Sequence, residues 1–289
     1  MKQETEPKEE NLPNFLVIGA HKSGTSWLYK ILKTNSEVYL YPYVKELHFF
    51  TEHYEKGLNW YKKFFPSQKS AIKYKAIGDI TPTYILFEYV PERVLKIIPN
   101  SKFIIILRNP VTRAFSHYKY NKLNEGFNYN FKEYLKINKR CFRFGLYSQQ
   151  IRNWLKRFPR ERFLILIFEE VFKEPIKALK TISEFLNIEF TKFDTRILNV
   201  KTNPSELPRL HKIFILGFKF RSILLSKGLF RIDDILFKFK RFYSILLLGK
   251  NKEKVFMNPE VKNQLFLRYK KDIEELEKIL NKNLSIWKD

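Results

Sequence analysis

The sequence predicts an α/β fold in three layers, with a central, mostly parallel sheet flanked by helices. Continuous apolar runs of strand length recur at residues 15–18, 102–107 and 162–168, the pattern of strands buried on both faces. Segments of helical character alternate with them at the spacing of βαβ units. The composition permits such a core. Of 289 residues 44% are hydrophobic, 28 are phenylalanine, and only 9 Gly and 13 Pro are present, which excludes a fibrous or disordered chain.

In chain order, residues 1–12 are polar and acid-rich and read as a disordered tail without the apolar stretch of a signal peptide. The strand at 15–18 enters the small-residue loop Gly19-Ala20-His21-Lys22-Ser23-Gly24, and a helix follows over about residues 24–34. Residues 39–50 read as an extended segment broken by Pro42, and residues 57–65 as a short amphipathic helix stopped by Pro66. A buried strand from Ala76 is expected to give way to a loop beginning at Asp79. Helices are predicted over 90–98 and, after the strand at 102–107, from Pro110, whose fixed φ suits a first helical turn. Residues 145–157, 175–186 and 259–280 complete the helices. Residues 199–250 are basic and apolar and read as a lid or acceptor-binding subregion, with membrane-surface contact as the competing reading. No linker breaks the pattern, so one domain is expected over 13–289.

Fifty-four Lys and Arg against 30 Asp and Glu give a net charge of +24, which calls for polyanionic company such as a charged nucleotide or an acidic polymer. The one cysteine, Cys141, rules out an intramolecular disulfide and suits a reducing compartment. With no window near the ~20 apolar residues of a bilayer span, a cytoplasmic protein is expected. No His/Cys/Asp cluster has metal-ligand spacing, and no metal is expected.

A strand, a small-residue loop and a helix start bring backbone N–H groups and a positive dipole end together, which suits phosphate. Hydroxyls at Ser23, Thr25 and Ser26 and the charge of Lys22 add to it. Gly19 and Gly24 have P-loop spacing, so the fold expected is P-loop-like, but Thr25 stands where that motif has lysine and the lysine is Lys22. This displaced lysine resembles the 5′-phosphosulfate loop of the sulfotransferases, whose sulfuryl donor is 3′-phosphoadenosine 5′-phosphosulfate. Arg108-Asn109-Pro110 at a strand end, with Ser116 eight residues after Arg108, resembles that family's 3′-phosphate motif. An arginine there offers paired donors to a phosphate, and the helix serine adds a hydroxyl. Lys45-Glu46-Leu47-His48-Phe49-Phe50 resembles the signature of the glycosaminoglycan N- and O-sulfotransferases, as does Gly145-Leu146-Tyr147 continuing to Trp154 and Phe158-Pro159.

The resemblance implies Glu46 as catalytic base, with His48 as its rival, and Lys22 neutralising charge on the leaving group. The bland reading of Glu46 is a surface ion pair with Lys45. Lys22, Ser23, Gly24, Thr25, Ser26, Arg108 and Ser116 would hold the donor, and Lys45, His48 and Asp79 would face the acceptor. The family's Glu-Lys-x-Pro segment is here Asp79-Ile80-Thr81-Pro82, without the lysine. A cation among Lys201, Arg209 and Lys212 is expected to close over the nucleotide. The acceptor expected first is a carbohydrate, with a lipid or a polyketide-like metabolite behind it; no nucleic-acid partner is expected, and the chain is expected to be a soluble bacterial homologue. A P-loop nucleotide kinase is the alternative enzyme, opposed by Thr25. A basic nucleic-acid or membrane-surface binder is the non-enzymatic one, accounting for the charge but not for two phosphate motifs.

Overall fold

A computed structural model describes residues 12–198 and 255–288. By backbone contact the chain forms two compact units, a division that no linker in the sequence announces. The first holds the described residues to Leu107 and those from Gln149 onward to 198; the second holds Arg108–Ser148 and the described residues after 254.

The first unit contains a five-stranded sheet in which every pairing is parallel. Its strands are β1 (Phe15–Gly19), β2 (Val38–Leu40), β3 (Ala76–Ile80), β4 (Lys102–Leu107) and β5 (Phe163–Ile167), in the order β2-β3-β1-β4-β5. Helix α1 (Thr25–Leu32) follows β1; α2 (Leu58–Lys62) and α3 (Gln68–Ala71) lie between β2 and β3, and α4 (Val90–Ile97) between β3 and β4. Strand β1 is central, with β3 on one side and β4 on the other. Chain connections therefore diverge at its carboxyl end, where open α/β sheets form their binding crevice.

The apolar runs are explained by burial on both faces. Ile104 and Ile106 of β4 join a cluster with Trp27, Leu28 and Ile31 of α1. Phe103 points the other way, 5.1 Å from the Trp154 ring and 4.6 Å from Phe158. Gly78 has a close-packing role: a Cβ there would stand 2.2 Å from the ring of Phe15, its partner across β1 and β3.

The described residues of the second unit form helices: α5 (Pro110–Glu125), α6 (Phe131–Ile137), α7 (Lys139–Arg143), the first residues of α8 (Tyr147–Leu155), and a long C-terminal helix. With α9 (Phe168–Lys173) and α10 (Pro175–Leu186) of the first unit counted, that last helix is α11 (Pro259–Leu280). Its buried Val261, Leu265, Tyr269, Ile273 and Leu276 fall on one stripe. Tyr269 donates to the Phe142 carbonyl at 2.8 Å, and a Cβ on Gly145 would meet its ring at 2.9 Å.

Three expectations change. The extended segment at 39–50 is a strand only to Leu40; beyond it Pro42 lacks an N–H, and the backbone at Leu47 and His48 bonds to a side chain instead. The helix expected over 57–65 is confined to Leu58–Lys62. Asp79 lies inside β3 rather than opening a loop.

Candidate active site

In the first unit the loop between β1 and α1 is shaped to leave donors open. Gly24 has φ 89°, a left-handed value that glycine adopts without steric cost, and it serves as the N-cap of α1 with no side-chain cap. The N–H groups of Trp27 and Leu28 donate to the Gly24 carbonyl, so an anion would meet those of Thr25 and Ser26 at the start of the helix. Lys22 is also left-handed, with φ 69°. Ser23 is fully buried, at 0% exposure, yet its Oγ has no hydrogen-bond partner among the described residues. A buried hydroxyl with nothing to bond is costly unless a ligand completes it. The donor set therefore fits a phosphate or phosphosulfate group.

Lys45 connects this loop to the acidic motif. Its Nζ donates to Thr25 Oγ1 at 3.2 Å, Ser26 Oγ at 3.4 Å and Glu46 Oε1 at 2.8 Å. The other Glu46 oxygen, Oε2, lies 3.5 Å from His48 Nε2, and Glu52 Oε1 is 3.8 Å from His48 Nδ1. The side chains of Lys45 and Glu46 are 17% and 31% exposed, so this is not the surface ion pair of the bland reading. Burial works against the Glu46 charge, but Lys45, His48 and His21 outweigh it and hold the carboxyl well below its ordinary range. For His48, burial opposes protonation, while Glu46, Glu52 and Asp79 outweigh that and raise its pKa. A raised pKa shifts the His48 imidazole toward its protonated form, which has no lone pair to take a proton.

Asp79 does not face an acceptor. It is 1% exposed; its Oδ2 accepts from the hydroxyls of Tyr61 and Tyr84, both at 2.9 Å, and its Oδ1 from Thr81 Oγ1 at 2.7 Å. Burial raises its pKa and these three donors oppose the rise. Buried and turned onto these three hydroxyls, the carboxylate is not presented at the surface, which corrects the acceptor-facing role expected from the sequence.

In the second unit, Arg108 directly follows β4 and its Nε donates to Thr112 Oγ1 at 3.0 Å. Asn109 caps α5, accepting from the N–H groups of Val111 and Thr112, and its Nδ2 donates to the Trp287 carbonyl at 2.8 Å. The Tyr147 hydroxyl donates to the Arg108 carbonyl at 2.9 Å, so the Gly145-Leu146-Tyr147 stretch braces the arginine's backbone. Asp272 of α11 accepts from the N–H of Tyr147 at 2.8 Å and from Ser148 Oγ at 2.6 Å, fixing the start of α8. Ser116 lies one turn beyond Thr112 on α5. Lys119, which the motif did not single out, has its pKa lowered by burial and then by the nearby Arg108 guanidinium. Lys119 stands three residues after Ser116 on α5, the spacing of neighbours on one helix face. Arg113, by contrast, is fully buried and bonds to the Cys141 carbonyl, a packing role. Lys201, Arg209 and Lys212 lie outside the described residues.

Residues 12–206 match the family described as sulfotransferase domain. The chain is 33% identical over 195 residues to heparan sulfate glucosamine 3-O-sulfotransferase 5 of Mus musculus, covering 62% of this chain and 54% of that protein. It is 29% identical over 198 residues to the bifunctional heparan sulfate N-deacetylase/N-sulfotransferase 1 of Xenopus laevis, covering 62% of this chain and 22% of that protein. It thus spans about half the length of the first relative and under a quarter of the second. Among solved structures, a sulfotransferase from Alicyclobacillus acidocaldarius has the same fold, with a TM-score of 0.64 at 21% identity over 96% of this chain and 99% of that one.

Proposed function

The chain belongs to the sulfotransferase family, and from that premise we propose that it moves a sulfuryl group from 3′-phosphoadenosine 5′-phosphosulfate to a hydroxyl or amine, with a saccharide as acceptor. The observation that carries this reading is Lys45, whose ammonium ties Glu46 to the hydroxyls at the start of α1. A base and an anion-binding helix start are thereby held by one cation.

When bound, the donor supplies the sulfuryl group. The residues that would hold it are Ser23 and, through their N–H groups and hydroxyls at the start of α1, Thr25 and Ser26, with Lys22 neutralising charge on the leaving oxygen. Arg108 and Ser116, joined by Lys119, are proposed to take a phosphate of the donor. Glu46 is ionised throughout the working range, so it is ready to receive a proton. Its weak basicity means that transfer follows bonding to sulfur, when the acceptor's proton has become acidic. Positioning and charge stabilisation account for most of the catalysis. The saccharide acceptor is supported by the heparan sulfate activities for which the relatives are named. A cytoplasmic, reducing setting is proposed on the single, buried Cys141.

Calorimetric titration with 3′-phosphoadenosine 5′-phosphate, beside magnesium-ATP, on the wild type and Arg108→Ala tests this. Binding of the bisphosphate, weakened by the substitution and not matched by ATP, is expected. Preference for magnesium-ATP would overturn the reading in favour of the kinase.

A further inference from the structure

The turn that carries Glu46 and His48 is held by backbone N–H groups reaching hydroxyls, not by secondary structure. Leu47 N–H donates to Thr81 Oγ1 at 3.1 Å, and His48 N–H to the same oxygen at 3.4 Å. Phe50 N–H donates to the Tyr84 hydroxyl at 3.4 Å. His48 sits at φ 52°, a left-handed conformation that a side chain adopts only when its surroundings impose it. The bonds at Leu47, His48 and Phe50 hold it together with the His48 carbonyl, which accepts from the N–H groups of Thr51 at 3.2 Å and His53 at 3.1 Å.

Asp79 decides how those hydroxyls point. With two N–H groups directed at Thr81 Oγ1, its lone pairs are taken, and its proton is left for Asp79 Oδ1 at 2.7 Å. Tyr84 likewise receives the Phe50 N–H and gives its proton to Asp79 Oδ2, which also accepts from Tyr61. Thr81 and Asp79 are 0% and 1% exposed, so solvent does not supply substitutes. Replacing the carboxylate by an amide would place an N–H against one hydroxyl and turn that hydroxyl's proton toward the backbone N–H it now accepts.

We propose that Asp79 is a positioning residue that, acting through Thr81 and Tyr84, holds the Glu46–His48 turn in its reactive shape. The proposal rests on the reading of Glu46 as base. It gives the acid of the Asp79-Ile80-Thr81-Pro82 segment a task beneath the reacting groups rather than at the acceptor.

The test combines Thr81→Val, Thr81→Ser and Glu46→Gln, assayed with 3′-phosphoadenosine 5′-phosphosulfate and an undersulfated heparan-type oligosaccharide. Calorimetry with 3′-phosphoadenosine 5′-phosphate runs alongside. Thr81→Val is expected to lower kcat about 10- to 100-fold with bisphosphate affinity unchanged. Thr81→Ser, which keeps the hydroxyl, should restore kcat to within about threefold, and Thr81→Val should change the residual rate of Glu46→Gln by less than about twofold. An equal cost in both backgrounds, or no rescue by serine, overturns the proposal and leaves the base reading intact. Wild-type kcat in Glu46→Gln alone overturns the base reading and the proposal with it. Should Thr81→Val fail to fold, Tyr84→Phe enters the same cycle, and an equal cost in the wild-type and Glu46→Gln backgrounds overturns the proposal.

Discussion

Replacing Ser23 with alanine is expected to move stability and ligand affinity in opposite directions. The Ser23 hydroxyl is at 0% exposure, and its oxygen has no partner among the described residues. An unmade buried hydrogen bond costs about 1–3 kcal/mol, so deleting the hydroxyl should stabilise the ligand-free protein by about 1 kcal/mol. For a chain of this size that raises Tm by about 2 °C. The same hydroxyl is the group proposed to meet the donor's 5′-phosphate, where a bond to a charged oxygen is worth about 1.5–3 kcal/mol. Affinity for 3′-phosphoadenosine 5′-phosphate should then fall about 10- to 100-fold. Thermal denaturation without ligand and calorimetric titration read the two effects separately. A variant that melts earlier than the wild type would show that Ser23 is satisfied in the free protein. One that binds the bisphosphate as tightly would remove Ser23 from the donor site.

Three further outcomes are expected. Lys45→Met removes the cation nearest Glu46, leaving burial less opposed, so the acid limb of the kcat/KM profile should move to higher pH; an unmoved limb refutes the role of Lys45. Glu37 is held down to about 2 by Lys192, Lys75 and the backbone at Glu189. A depressed carboxyl stabilises above its unfolded pKa of 4.5 and loses that contribution as pH falls toward about 2. Tm of the wild type should therefore drop across that window, and that of Glu37→Gln should drop less. Gly78→Ala should destabilise by about 1–3 kcal/mol through crowding, measured by urea denaturation, and should cost little in a Phe15→Ala background. Additive costs would show that the Phe15 ring is not the obstacle, although the 2.2 Å approach says it is.

Much of the fold was legible because it is written in local pattern. The helices at Pro175–Leu186 and Pro259–Leu280 have the bounds that their proline starts and apolar spacing predict. The apolar run in β4 was readable as a strand covered on both faces, and Phe103 and Ile104 do take opposite sides. The loop at Lys22 and the strand end at Arg108 were singled out by their strand–loop–helix setting and by their resemblance to the family's motifs. Lys45 was placed near the acceptor, but its three hydrogen bonds to Glu46, Thr25 and Ser26 join segments about 20 residues apart, which no short motif encodes.

Asp79 marks the boundary most clearly. By sequence it is an acid before a proline-containing loop, equally suited to solvent, substrate or core. Its burial depends on Tyr61, 18 residues earlier, and its influence on Leu47 passes through Thr81 across a separation of 34. The sequence by itself determined most of the strands and helices and the positions of the two candidate anion motifs, because those depend on neighbours along the chain. Only the tertiary structure decided that Lys45 spans donor loop and base, and that Asp79 lies beneath the Glu46 turn. Charge and hydrogen bonding act through space, and their sign and strength are set by what covers each group.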